Sequence, residues 1–300
     1  MARRPKPVPQ MTIAQFEATF PDEEACKRYL QARRWPNGIK CPRCGSSERI
    51  FPVKTMPFKW QCYKCTPVGG YRFSVIAGTI FENTNKPLRD WFRVVHLMLA
   101  GKKGTPALQI QRIMGFGSYE TAHSMCHKIR AALIEPEAKL GGIVEVDETY
   151  VGGSNRNRHW DKKQPGTGIA GKFVVVGAAQ RKGNVIARVI ANTKTETLER
   201  FVRAAVSEKV SLIATDEHSG YRNLKDTYPH GFVSHSRKQY VDGVVHTGSI
   251  DSFWSLLKRG IIGSFHKVSA KYLPLYVAEF TFRYNNRENS DIFGTAVARC

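Results

Sequence analysis

Residues 144–153 read Val144-Glu145-Val146-Asp147-Glu148-Thr149-Tyr150-Val151-Gly152-Gly153. β-Branched and aromatic residues dominate, and a glycine pair closes the run, which is the composition of a β-strand. Carboxylates stand in its interior. Burying an unpaired charge costs several kcal/mol, so two readings fit: an edge strand whose acids face water, or a strand whose acids hold a cation.

The chain downstream favours the cation. Its periodicity predicts strands over 143–151, 172–180 and 184–191, a helix over 196–206 and a strand over 210–215 that runs into Asp216-Glu217. A short helix near 221–225, a short strand at 232–235 and a long helix from about Ser249 follow. Three antiparallel strands, a helix, a parallel strand and further helices is the order of an RNase H-like α/β fold. In that order Asp147 lies mid-strand, Asp216 ends the strand beside it, and Asp251 opens the long helix. Three carboxylates so placed suit two Mg²⁺ (or Mn²⁺) ions about 3.5–4 Å apart, the arrangement that drives in-line phosphoryl transfer. No His/Cys set rivals them. Singly, Asp216 reads equally as a loop acid and Asp251 as an acid at a helix N-terminus. Glu145, Glu148 and Glu217 rank below these three as ligands. Lys258 follows Asp251 by two helical turns, where it can meet a substrate phosphate or simply water. Trp254 reads as core or as a base-stacking platform. The loop Ser154–Lys163 carries Arg156, Arg158, Lys162 and Lys163 around Trp160, a candidate DNA contact. Gly166–Lys172 fits G-x-x-x-x-G-K, but Phe173 stands where Ser or Thr is needed and a strand follows instead of a helix.

Charge points to the same partner. The 300 residues hold 46 Lys+Arg against 25 Asp+Glu, a net charge of +21, suited to displacing counterions from a phosphate backbone. No apolar run approaches the ~20 residues of a spanning helix, and the basic start Met1–Pro7 lacks the apolar core of a secretion signal. The expectation is a reducing, cytoplasmic, nucleoid-associated setting without membrane contact, in which the seven cysteines serve as metal ligands or thiols, not disulfides. Cys41-x-x-Cys44 and Cys62-x-x-Cys65, with 17 residues between the pairs, supply four thiolates for a structural, closed Zn²⁺ site of the ribbon type. Short strands are predicted at 50–53 and 58–61, and a further one at 73–81. Cys26, Cys126 and Cys300 read as ordinary thiols. Helical spacing over 12–34 precedes the ribbon. Helices are predicted over 88–99, 106–114 and 118–133, the last two separated by Gly115-Phe116-Gly117. That pair fits a helix-turn-helix presenting Tyr119, Glu120, His123 and Lys128 to a major groove; a plain helical hairpin fits it nearly as well.

These stretches together resemble the ISXO-like insertion-sequence transposases of the DDE superfamily. The resemblance spans nearly the whole chain: the knuckles after Arg34-Trp35-Pro36, Gly78–Phe81, Val146–Gly153, Thr215-Asp216-Glu217, Tyr240–Gly243, His246-Thr247, Phe253–Gly260 and Phe282–Asn285. It implies DNA-strand cleavage and transfer, with Asp147 and Asp216 as the first two metal ligands and Lys258 as the lysine that follows the third. The Phe253–Gly260 segment adds Arg259, next to that lysine, as a DNA contact. It implies binding of the element's terminal inverted repeats and of target double-stranded DNA by a homo-oligomer. The expected organisation is multidomain α+β: a basic tail and helix over 1–37, a zinc ribbon over 38–82, a helix-turn-helix region over 86–135 and an RNase H-like catalytic domain over 141–300. Two positions depart from the family pattern of His-Thr-Asn with Glu three residues later. Gly248 replaces the Asn, and Asp251 replaces the Glu. One methylene shortens the third ligand by about 1 Å, a displacement that can cost about 10²-fold in rate. A weakened or inactive DNA-binding descendant is therefore the second reading.

Overall fold

Thr12 and Gln15 form a reciprocal capping box that opens α1 (Ile13–Thr19), and Asp22 accepts the Ala25 N–H to open α2 (Glu23–Arg34). The computed structural model describes residues 11–136, 138–153, 159–163, 171–234, 241 and 245–300. The chain divides into two units, one running to Leu133 and including Glu288–Cys300, the other spanning Ile134–Arg287.

In the first unit, β1 (Ile50–Pro52), β2 (Lys59–Cys62) and β3 (Tyr71–Ser74) form an antiparallel meander. The apolar run 73–81 yields a strand only as far as Ser74. Gly78, at φ +73°, turns the chain, and its N–H bonds the Glu82 carboxylate. Val75, Ala77 and Phe81 are buried there without pairing in a sheet, so burial, not strand pairing, explains the run. Helix α3 (Leu88–Ala100) buries most of its length. Helix α4 (Ala107–Met114) stops at Gly115 in the left-handed region, φ +65°, and Ser118 caps α5 (Tyr119–Ala132). The C-terminal helix Ile292–Arg299 also belongs here. Phe293 lies 5.5 Å from the Phe20 ring and 5.7 Å from that of Phe92, and Asp291 pairs with Arg33. The expected catalytic segment 141–300 thus gives up its last residues to an aromatic cluster seeded by α1.

The second unit is built on a five-stranded sheet ordered β6-β5-β4-β7-β8, where β4 is Ile143–Val151, β5 Phe173–Gln180, β6 Val185–Ile190, β7 Leu212–Thr215 and β8 His230–Phe232. The first three run antiparallel; β4, β7 and β8 run parallel to one another. Strand alternation splits the core in two. Val144, Val146, Val176 and Ala178 pack with α6 (Thr195–Ala205) and with Tyr221 and Leu224 of the 3₁₀ turn Ser219–Asp226. Val175 and Ala179 pack with α7 (Gly248–Gly260) and α8 (Leu273–Asn285) through Phe253, Trp254, Leu257 and Phe280. The short final strand lies at 230–232 in place of 232–235, of which 235 is outside the described residues. Asn285, closing the Phe282–Asn285 stretch, accepts the Val185 N–H at 2.7 Å and donates to its carbonyl at 3.0 Å, so a side-chain amide occupies the open edge of β6. No helix among the described residues is long and apolar enough to cross a membrane.

Gly177 is the one sheet position opposite Asp147. A Cβ there would stand 2.8 Å from Trp254 Cη2 and 2.9 Å from Ile250 Cδ1. Gly177→Ala is therefore expected to destabilise the second unit by about 1–3 kcal/mol, as overpacking does, and to lift the Trp254 ring from the sheet. An unshifted thermal melt would contradict this.

Candidate active site

The register Glu145↔Ala214, carried on by two residues, brings Asp216 level with Asp147. Asp147, Asp216 and Glu148 each offer a carboxylate oxygen, and these three atoms lie within 4.8 Å of one another. Burial, then the charges of Glu148, Asp216 and Asp251, pushes the Asp147 carboxyl up to about 7. Burial also raises Glu148, although Tyr221 donates its hydroxyl to Glu148 Oε2 at 2.6 Å and His218 stands 3.7 Å from Oε1. Asp216 is fixed by a turn in which the His218 N–H donates to its Oδ1 at 3.0 Å. Carboxylates crowded to this degree repel one another until a hard cation compensates them. The donor set is all oxygen, which suits Mg²⁺ or Mn²⁺.

Helix α7 lies over this group. The Trp254 indole N–H donates to Asp147 Oδ2 at 2.9 Å. Trp254 is 3% exposed, so its ring is core and presents no open face on which a base could stack, while its N–H is held on Asp147. Asp251 is not drawn into the three-oxygen group. It is exposed and accepts from Thr247 Oγ1, four residues earlier, at 3.1 Å, while remaining close enough to raise Asp147. Glu148, ranked below Asp251 on sequence, takes the nearer place. Lys258 and Arg259 are exposed farther along α7, Arg259 bonding the Ser255 carbonyl. Glu217 is exposed and accepts from Ser234.

The four knuckle cysteines form a second group, in the first unit. Cys41 and Cys65 sulfurs stand 3.9 Å apart, and those of Cys44 and Cys62 3.8 Å. A tetrahedron with Zn–S bonds of about 2.3 Å has edges near 3.8 Å, so the sulfurs already sit at zinc spacing. Burial works to raise the Cys62 thiol, but the backbone N–H groups of Cys65 and Lys64 and the thiols of Cys41 and Cys65 outweigh it, leaving Cys62 lowered to about 7. Burial raises Cys26 and Cys300 to about 12, as expected of inert thiols.

Residues 139–285 match the ISXO2-like transposase domain, and residues 21–67 match the transposase zinc-ribbon domain. The chain carries an ISXO2-like transposase domain and a transposase zinc ribbon. It is 27% identical over 281 residues to an uncharacterized protein in transposable element ISH50 of Halobacterium salinarum, covering 88% of this chain and 92% of that one. Among solved structures, a chain of a simian T-cell lymphotropic virus intasome in complex with PP2A regulatory subunit B56 gamma aligns at 16% identity. The alignment covers 64% of this chain and 65% of that one with a TM-score of 0.29, too slight a likeness to support an argument.

The other sequence candidates fall unevenly. Tyr119 is exposed at the start of α5; His123 sits against His127, ring nitrogens 3.0 Å apart; Lys128 is exposed with its ammonium 6.0 Å from the Trp91 ring. Arg156 and Arg158 lie outside the described residues, as does the Lys162 side chain, and Lys163 is exposed. Sequence reasoning missed Tyr221 and His218 as partners of Glu148. Only their closeness to Asp216 in the chain hinted at them.

Proposed function

We propose that this transposase binds the terminal inverted repeats of its element and cleaves and joins DNA strands at the Asp147–Asp216–Glu148 group, on a catalytic unit of the RNase H-like type. The observation that carries the proposal is the convergence of three partly buried carboxylates, with Asp147 raised to about 7. Perturbed acids of this kind mark functional sites. Asp147 and Asp216 would hold divalent cations with Glu148, and Asp251 would reach them from α7. Bound there, a pair of Mg²⁺ ions supplies an activated water or 3′-hydroxyl and stabilises the departing oxygen. Trp254 keeps one Asp147 oxygen hydrogen-bonded and so fixes the rotamer of that ligand. Lys258 and Arg259 face solvent from the same helix and would meet the phosphate backbone. Helices α4 and α5 would act as the helix-turn-helix, with Tyr119, His123 and Lys128 toward the groove, Arg156, Arg158, Lys162 and Lys163 contacting flanking DNA, and the ribbon held by Zn²⁺. Two copies of the chain would hold two element ends.

Strand cleavage on DNA carrying the element's ends, in Mg²⁺ or Mn²⁺, tests this reading. Because Asp251 falls back onto Thr247, Asp251→Glu is expected to cleave about 10–100-fold faster than wild type, the added methylene restoring about 1 Å of reach. If the variant is no faster, Glu148 suffices as third ligand. Binding of the ends without cleavage by either protein would favour the DNA-binding descendant.

A further inference from the structure

Helix α7 has no side-chain cap of its own: Thr247 at its N-cap makes no such bond. The Gly248 N–H leans on its own chain, at 3.3 Å from His246 Nδ1. The next two N–H groups are satisfied by a residue about a hundred positions earlier. Glu145 Oε2 accepts from Ser249 N at 2.6 Å and from Ile250 N at 3.1 Å, and Oε1 accepts from Ser249 Oγ at 3.2 Å and Arg181 Nε at 2.8 Å. His246 Nδ1 lies 3.3 Å from Oε1. Arg181 also donates to the His246 carbonyl at 3.2 Å. Glu145 is completely buried, so its carboxylate is committed to this one task. It supplies the anion that the positive end of the helix dipole favours.

The spacing makes this a docking device. Two residues along β4, from Glu145 to Asp147, advance about 6.6 Å. Four residues along α7, from Ile250 to Trp254, advance about 6 Å. Glu145 holds the first turn of the helix, and Asp147 receives Trp254 one turn later, so the two contacts fix both the position and the rotation of α7 on the strand.

We propose that Glu145 is a positioning residue for the cation site, a carboxylate that caps α7 from β4 and sets Trp254 and Asp251 relative to Asp147. This assigns Glu145 to the support of the site, not to its ligand set, and it rests on the reading of Asp147, Asp216 and Glu148 as the cation site. A glutamine in its place must turn an NH₂ group either toward the helix N–H groups or toward Arg181, both of which are donors, so the cap is lost on one side or the other. An aspartate keeps the charge but falls one methylene short of reaching both.

Mn²⁺ alone, titrated into the zinc-loaded full chain without DNA and followed by the electron paramagnetic resonance of the free ion, tests the proposal, with melting curves taken on the same samples. Loss of the group behind a metal ligand weakens binding by about 10–100-fold, so Glu145→Gln is expected to bind Mn²⁺ that much more weakly than wild type, with Glu145→Asp between them. A residue needed only for stability would lower the melting temperature and leave the Mn²⁺ midpoint in place. That outcome in either variant would overturn the proposal, and Glu145→Asp decides the matter if Glu145→Gln does not fold. Asp147→Asn is the control. If it loses Mn²⁺ while both Glu145 variants bind as wild type does, the cation site stands and the positioning role fails. If wild type itself takes up no Mn²⁺, the reading of the site falls and the proposal falls with it.

Discussion

Asp147→Asn is expected to reduce metal-dependent strand cleavage by at least about 10³-fold, beyond the 10–100-fold typical of losing a group behind a metal ligand, while making the cation-free protein more stable at pH 8. Both effects come from the same crowding. Burial and the charges of Glu148, Asp216 and Asp251 raise the Asp147 carboxyl from 3.8 to about 7. The folded state therefore holds a proton that the unfolded chain releases near pH 4. This group's contribution to stability is fully present below about pH 4 and is lost as pH rises through about 7. A rise of that size corresponds to about 4 kcal/mol in the absence of cations. Asparagine resembles the neutral form at every pH and does not suffer this loss. Melting curves at pH 4 and pH 8, with Mg²⁺ omitted and the two proteins compared at equal zinc content, should show the variant level with wild type at the lower pH and above it at the higher. Added Mg²⁺ should then raise wild type and leave the variant unmoved. A variant less stable than wild type at pH 8, or one that still cleaves, would remove Asp147 from the site.

The strand at 143–151 was legible because its chemistry is at odds with its pattern. Val144 and Val146 report one face of a sheet, and the acids between them have no reason to be buried unless something compensates them. The two ends of that inference survive in the structure: Asp147 lies level with Asp216, and both lie beside a third carboxylate. The identity of the third was not legible. Sequence spacing weighs Asp251 by its position in a helix, yet the side chain is short and its own N-cap threonine is the nearest donor. Glu148 projects from the opposite face of β4 to Asp147, and only the end of the parallel strand β7 lets both meet Asp216.

Sequence alone ranks Glu145 as a lesser ligand because its partners, Ser249 and Ile250, are 104 and 105 residues away. A cap supplied across the fold leaves no local trace. The same holds for the last helix, whose Phe293 reaches the rings of Phe16 and Phe20 near the start of the chain. The run 73–81 misled for a different reason. Apolar residues are needed wherever the chain is buried, and here a left-handed glycine bends them away from any sheet. Local pattern records burial and turns; it records pairing only when the partner is near.

Zinc removal is expected to unfold the ribbon while the 139–285 segment keeps its structure. The three ribbon strands hold only 3, 4 and 4 residues, and among them Trp60, Cys62 and Phe73 are buried. Three such short strands bury too little apolar surface to stand without a staple. Structural zinc contributes about 10–16 kcal/mol of apparent binding energy in small domains, which here would be most of what holds β1 to β3 together. Because the thiolates bind the metal, protons compete with it. Burial raises Cys65 to about 11, so it competes from alkaline pH downward. Cys62, at about 7, adds its own proton only below neutrality, where zinc retention should fall more steeply. Wild type should release one zinc per chain to a colorimetric chelator, and Cys62→Ser should be isolated with less. The emission of Trp60, which lies 5.3 Å from the Trp35 ring and 5.9 Å from that of Phe73, should shift to the red as that cluster opens to water. Limited proteolysis should then cut between residues 38 and 82 while the 139–285 segment stays protected. A chelated protein with unchanged emission and an uncut ribbon would mean that the aromatic cluster, and not the metal, holds the knuckles at their 3.8 and 3.9 Å spacing.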